Sequence, residues 1–367
     1  MNGSMSSRGW NLRRRARPAI RPAAVLCDNG HRSLKESSPT VTMDTTAEAP
    51  PRPEFLALGG FYKSELEPWL EAHEGRRQRA RLLRWLIIGG GFAALAVAAG
   101  YVLTQTDDST NFWLFVLFVL AIVVVILGNI PMSNLRSEVK TFVMEKLAGF
   151  FGFSYEAKPT FETLADFKDL SLLPHHDNAR FEDGLGGAVK GVPFEMVEVH
   201  LTERRGTGKE RKTVTVFRGL LLALPWPEAG EEAVTVWRRD VDQWNEDSDV
   251  GPVKLGDDAF DQAYIVHSDN VETARRLLGR DARAALAVLE QRDTIDDVRV
   301  GIGGGRLLLA FRTGTDSFEA GKMSRRLADP NRVQDMVELF ALPFDAVDGF
   351  KLQQPASPPA PASRSAP

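Results

Sequence analysis

The sequence predicts an α+β protein: an N-terminal transmembrane helical hairpin followed by a cytoplasmic α+β domain with a mainly antiparallel sheet. Three observations carry this. Two uncharged apolar runs, at 85–103 and 112–130, are each long enough to form a spanning helix. Basic residues flank the pair on its outer sides and are absent between the runs. Beyond residue 131, alternating apolar segments come in turn-linked pairs with helical periodicities interspersed.

The first run, Trp85 to Leu103, reads WLIIGGGFAALAVAAGYVL, and the second, Phe112 to Ile130, reads FWLFVLFVLAIVVVILGNI. About 20 helical residues at 1.5 Å each cover the hydrocarbon core. The competing reading is a buried core hairpin, but soluble core helices ordinarily carry polar residues over such a length. Trp85, Tyr101 and Trp113 fall at the ends of the runs, where amphipathic rings anchor at the headgroup level. Arg76, Arg77, Arg79, Arg81 and Arg84 precede the first run, and Arg136, Lys140 and Lys146 follow the second. The connecting TQTDDSTN, 104–111, has no basic residue and carries Asp107 and Asp108. Retention of positive flanks then places both termini in the cytoplasm and this loop outside. The first run starts too far from the N-terminus, and is too long, for a cleaved signal peptide.

Gly90, Ala94 and Ala98 repeat at spacing four in the first run, whereas the second is bulky, with Phe112, Phe115 and Phe118. Small residues let helix backbones approach closely in lipid. The expectation is a tight hairpin, small face against bulky face, or else a small face that mediates homo-oligomerisation. Neither run contains Asp, Glu, Lys, Arg or His, which argues against a channel or transporter built from this chain alone.

The chain has 367 residues, a net charge of −4 and one cysteine, Cys27. These exclude an internal disulfide framework and give no overall signal for a nucleic-acid partner. Residues 1–60 read as a disordered leader, with 1–42 either disordered or an over-long start, since Met43 opens MDTTAEAPPRPEF. Residues 61–84 read as a cytoplasmic pre-membrane helix, 131–352 as the cytoplasmic α+β domain, and 353–367 as a disordered Pro/Ala tail. Within the domain the pattern predicts helices at 132–151, 161–173, 271–278, 282–290 and 332–340. It predicts a strand pair at 194–201 and 213–224 around a basic tip of Arg204, Arg205, Lys209, Arg211 and Lys212. Further strands are expected at 233–237, 262–268, 298–302 and 306–311. Ser268 or Asp269 is the expected N-cap of the helix at 271.

Candidate chemistry is sparse. GLGGAVKG (184–191) and GIGGGR (301–306) lack the GK[ST] of a phosphate loop, and strands rather than helices follow them, so they read as hairpin turns. His175, His176 and Asp177 are the first suspects for a metal, with His200 or His267 as a further ligand; adjacent residues on an extended segment point opposite ways, which weighs against it. The Asp257, Asp258, Asp261 group lacks the spacing of a calcium loop. The basic tip reads as a solvated turn, with anionic lipid as the alternative contact. No cofactor and no catalytic residue are expected.

The order of YKSELEPWLEAHEGRR, the two apolar runs, FFGFSYE, VFRGLLLALPW and YIVHSDNVETARRLLG resembles a bacterial membrane-protein family known only as domain of unknown function 3137. The resemblance covers about 61–352. It implies two N-terminal spans in the inner membrane and a cytoplasmic domain, and no activity. The resulting expectation is a membrane-anchored binding or scaffolding module whose partners are the bilayer and another protein. The alternative is a membrane-anchored enzyme or small-ligand sensor with a scattered site.

Overall fold

The computed structural model describes residues 52–104, 110–206, 208, 211–240, 251–318, 323, 325–329 and 331–354. The leader before Arg52, the centre of TQTDDSTN, Lys209 in the basic tip and the tail beyond 354 lie outside these residues, together with the expectations placed on them.

Two long helices dominate the N-terminal half. A short helix α1 (Leu58–Phe61) and a π-helical turn (Tyr62–Leu66) run directly into α2 (Glu67–Thr104). Helix α3 (Thr110–Phe151) has 42 residues, about 63 Å at the usual rise, roughly twice the hydrocarbon thickness. Pro131 lies inside α3, so the second apolar run and the helix expected over 132–151 form one continuous helix. Proline removes only its own bond to the carbonyl four residues back, and a packed helix can absorb that loss.

The two helices meet along a different seam from the expected one. A Cβ added to Gly91 would stand 2.5 Å from Val124 Cγ1, and one on Gly128 would stand 2.5 Å from Ile88 Cγ1. Gly90 has open space around its Cβ position, Ala94 is exposed and Ala98 is half-buried. The reason lies further down α2. Leu70 and Arg77 are buried in the domain, and steps of seven from them reach Arg84, Gly91 and Ala98. Seven residues are close to two helical turns, so docking at the base fixes the seam above it.

The fold is α+β with an antiparallel sheet. After α3 come β1 (Ser154–Glu156), α4 (Leu164–Asp169), β2 (Asn178–Val189), β3 (Val192–Arg205), β4 (Lys212–Pro225) and β5 (Val234–Arg238). Then come β6 (Pro252–Val253), α5 (Asp258–Ala263), β7 (Tyr264–Ser268), α6 (Val271–Leu277), α7 (Arg280–Glu290), β8 (Asp297–Gly303), β9 (Arg306–Arg312), α8 (Asn331–Phe340) and α9 (Leu342–Gly349). The strands form one sheet in the order β1-β2-β3-β4-β9-β8-β5-β7-β6, with every neighbouring pair antiparallel.

Alternation along β3 splits its side chains between two cores. Val192, Phe194 and Met196 enter the larger cluster; Val197, Val199 and Leu201 enter the smaller one, under Phe161, Phe167 and Leu172. The larger cluster also holds Leu66 and Leu70 from the segment before the first apolar run, and Val139, Val143, Met144 and Leu147 from α3. Arg77, expected at a membrane surface, is buried instead. It pairs with Glu74 at 2.5 Å and donates to the Met323 carbonyl at 3.0 Å. Glu74 also accepts from the Leu327 amide at 3.0 Å, and these bonds pull its pKa down to about 2.

Other local expectations shift for identifiable reasons. The helix expected over 161–173 contracts to α4, since Phe161 and Leu172 insert into the second core from either side of it. Asn270, not Ser268 or Asp269, caps α6, with Oδ1 accepting from the amides of Glu272 and Thr273. The first two residues of the strand expected at 262 belong to α5. In GLGGAVKG only Lys190 and Gly191 form the turn. Gly184 and Gly187 are strand residues where a Cβ would meet Pro159 at 2.7 Å and Phe153 at 2.8 Å. Gly304 and Gly305, both at positive φ, do make the second hairpin turn.

The displaced seam can be tested directly. In detergent-solubilised chain, Gly91→Leu should lose about 1–3 kcal/mol of unfolding free energy through overpacking. Gly90→Leu should stay within about 0.5 kcal/mol of the parent. Equal losses for the two would refute the seam.

Candidate functional site: an ion-pair cluster at the root of the helical hairpin

A cluster of buried and half-buried charge joins α3 to β2, β3 and β4. Its components come from five places: Lys140 on α3, Asp183 on β2, Glu198 on β3, Arg218 on β4, and Asp316 with Ser317 in the loop after β9. The pairing of β2 with β3 shifts between Glu182 and Gly184, leaving Asp183 as the extra residue of a β-bulge, at φ 49°. A bulge re-aims a side chain, and aspartate is among the few residues that tolerate this left-handed backbone.

The contacts are close. Lys140 Nζ lies 2.5 Å from Asp183 Oδ2 and 3.2 Å from Asp316 Oδ1. Tyr155 Oη donates to Asp183 Oδ1 at 2.7 Å. Glu198 is 1% exposed; its Oε1 accepts from the Ser317 amide at 3.1 Å and lies 3.6 Å from Arg218 Nε. Arg218 Nη2 is also 3.6 Å from Asp316 Oδ2. Three carboxylates thus face two cations. Glu198 Oε2 is buried without a hydrogen-bond partner.

The shortfall of one positive charge shows in the protonation equilibria. Burial, then the Asp316 carboxylate, push Glu198 up to about 7, against the Ser317 amide and Lys140. Burial likewise raises Asp183, although Lys140 and Tyr155 oppose it. Burial and the Asp183 charge raise the Tyr155 phenol well above its ordinary range, so it stays a donor. For Lys140, burial acts downward, but Asp183, Asp316 and Glu198 outweigh it and the ammonium is held charged. Asp183, Glu198 and Asp316 each present an oxygen within 4.8 Å of the others, a spacing that could hold a metal ion. A cation there would have to displace the Lys140 ammonium, which already bridges two of them.

The residues singled out from sequence lie elsewhere. His175 and Asp177 are exposed, and Asp177 accepts from the Arg204 amide at 2.6 Å. His176 Nδ1 sits 2.8 Å from the Pro174 carbonyl. His200 bonds Thr215 at 2.8 Å, and His267 stacks on Trp237. Among the first suspects, His176 and Asp177 are thus tied to separate backbone groups and His175 is exposed, so the three do not converge on one centre. Trp85, Tyr101 and Trp113 are exposed at 64%, 68% and 50%. Arg79, Arg81, Arg84 and Arg136 are exposed, while Arg76 makes a two-pronged bond to Glu138 at 2.7 and 2.8 Å. Sequence reasoning missed Asp183, Glu198 and Asp316 because they are scattered over 133 positions and belong to no motif. A weak signal was available: Glu198 continues the alternate positions of Val192, Phe194 and Met196, where an apolar residue is expected.

A second feature lies at the far end of the strands. An open cleft of 840 Å³ is lined by Thr163, Asp166, Glu195, Arg306 and both glycine-rich stretches, through Gly186, Gly187, Gly304 and Gly305. Arg306 Nη1 donates to Thr163 Oγ1 at 3.3 Å and lies 3.4 Å from Asp166 Oδ2. Thr163 in turn donates to Glu195 at 3.4 Å.

Because folding raises Glu198 above its ordinary 4.5, the folded chain holds that proton more tightly than the unfolded one. Its stabilising contribution is full below pH 4.5 and is lost as pH rises through 7. Glu198→Gln keeps an acceptor for the Ser317 amide but cannot ionise. Its stability relative to the parent should therefore climb by up to about 3 kcal/mol between pH 5 and pH 8. Parallel pH profiles in denaturant melts would exclude the assignment.

No curated protein matches the chain. Among solved structures it is similar to the crystal structure of the mycobacterial trehalose monomycolate transport factor A, TtfA, at 14% identity and a TM-score of 0.32, over 56% of this chain and 96% of that one. Residues 215–352 match the family model described as "Protein of unknown function (DUF3137)". The matched segment runs from within β4 through α9.

Proposed function

We propose that the protein is an integral protein of the bacterial inner membrane, with both termini cytoplasmic, whose α+β domain is a binding or scaffolding module for another protein. One observation carries the membrane reading. Helices α2 and α3 both contain stretches long and apolar enough to cross a membrane, and 0% and 6% of those stretches are buried within the fold. A soluble core hairpin would be covered, whereas this one leaves Phe92, Val97, Phe115 and Phe118 bare, a surface that water does not tolerate but lipid does.

The scaffolding reading follows from how the hairpin is rooted. The lower turns of both helices share a core with the sheet, and Lys140 and Arg77 lock them by charge. The domain is fixed to its anchor rather than hung on a linker, so it presents constant faces at a constant height above the bilayer. Homo-oligomerisation through the bare small-residue face of α2 remains compatible with this arrangement.

A second reading, a small-ligand sensor, is supported by the cleft around Arg306, whose volume lies within the ordinary ligand range. Native mass spectrometry of the chain released from nanodiscs should then show a bound small mass that Arg306→Ala removes. Identical spectra for parent and variant would dismiss the sensor.

The topology has its own test. In a Cys27→Ser background, Thr104→Cys should react with a membrane-impermeant thiol reagent in intact cells. Thr213→Cys should react only after permeabilisation. The opposite pattern would invert the orientation, and labelling of neither in intact cells but of both after permeabilisation would remove the anchor.

A further inference from the structure

We infer that the tip of the β3–β4 hairpin is a docking surface for anionic lipid headgroups of the same bilayer that holds the helical pair. The inference rests on the membrane reading above and adds a second contact to it.

The direction of β3 comes from its register against α3. Ten residues beyond the apolar stretch, about 15 Å along the helix, Lys140 meets the cluster containing Asp183 and Glu198. Further from the span, Phe153, just past the end of α3, packs on Phe194 with ring centroids 4.7 Å apart. Going away from the apolar stretch, the contact on β3 thus moves from Glu198 back to Phe194. In its own chain direction, β3 therefore climbs toward the span. From Glu198 to Arg205 is seven residues, about 23 Å at 3.3 Å each. Even with the strand inclined by roughly 45° to the helix, the rise is about 16 Å. That matches the ~15 Å separating Lys140 from the end of the apolar stretch. The tip stands at the height of the membrane surface.

The tip is built to reach out. Pairing with β2 stops at Thr202, and pairing with β9 stops at Gly219. Beyond those points β3 and β4 continue as a two-stranded ribbon to the Arg205–Lys212 pair. Its end carries Arg204, Arg205, Arg211 and Lys212, all exposed. Glu203 pairs with Arg205 at 2.7 Å; among the described residues no carboxylate pairs with the side chains of Arg204, Arg211 or Lys212. Arg79, Arg81, Arg84 and Arg136 are exposed on the helices within a few turns of the same level. A projecting basic ribbon level with a basic collar is complementary to an anionic lipid surface, where each cation adds attraction within about one Debye length, ~8–10 Å.

The test uses the full chain with Cys27→Ser and Thr213→Cys, a donor dye on that cysteine, and nanodiscs containing headgroup-labelled acceptor lipid. The discs mix phosphatidylcholine with phosphatidylglycerol and carry the acceptor either on the phosphatidylglycerol or, at equal density, on the phosphatidylcholine. Energy transfer should be greater to the labelled phosphatidylglycerol gathered at the tip than to the labelled phosphatidylcholine, and should fall back to the phosphatidylcholine level at high salt. It should fall back equally with Arg204→Glu, Arg205→Glu, Arg211→Glu and Lys212→Glu combined, each lost charge weakening the contact about fivefold. Transfer indifferent to lipid charge, from a chain that co-elutes with the discs, overturns the tip contact and leaves the anchor standing. A chain that does not enter the discs overturns both.

Discussion

Everything in this structure hangs on a single shared core. Leu66 and Leu70 from the segment before the first apolar run, and Val139, Val143 and Leu147 from beyond the second, pack with Leu185, Met196 and Leu222 of the sheet. The hydrophobic effect is non-directional, but once helices and sheet interdigitate their relative rotation is fixed to within a side chain. That fixes which face of α2 meets α3 and which way β3 runs relative to the apolar stretches.

Charge refines what burial sets. Arg77 and Glu74 clamp the base of α2 to the segment around Met323 and Leu327, while Lys140 joins α3 to the sheet through Asp183. Such buried pairs are seldom strong stabilisers, because desolvation offsets most of the attraction. Their geometry is specific, however: an unpaired Lys140 or Asp183 is costly, so slipped or rotated arrangements are penalised. The three carboxylates against two cations leave Glu198 sharing a proton near neutrality. The junction between helix and sheet is therefore responsive to pH.

Much of the architecture was legible in local pattern. The apolar runs, the two hairpins and the helices near 271, 282 and 332 declare themselves through period and turn chemistry, which act over a few residues. The misreadings have a common origin in contacts distant along the chain. Arg77 looked like a membrane-surface arginine because nothing local reveals that the Met323 carbonyl waits for it. Gly90 and Ala94 satisfied a small-residue spacing, yet the docked base of α2 turned Gly91 to the partner helix. GLGGAVKG looked like a turn throughout, but only Lys190 and Gly191 turn, and Gly184 and Gly187 are strand residues on which Pro159 and Phe153 press. The cluster of Asp183, Glu198 and Asp316 was invisible for the same reason.

The sequence by itself determined that two long uncharged helices precede an antiparallel α+β domain, because periodicity and span length are properties of consecutive residues. It also supplied the basic hairpin tip. Only the tertiary structure decided that the pre-membrane segment belongs to the domain core and that three scattered carboxylates gather around Lys140. Those are matters of rotation and height between elements, set by packing between residues far apart in the chain.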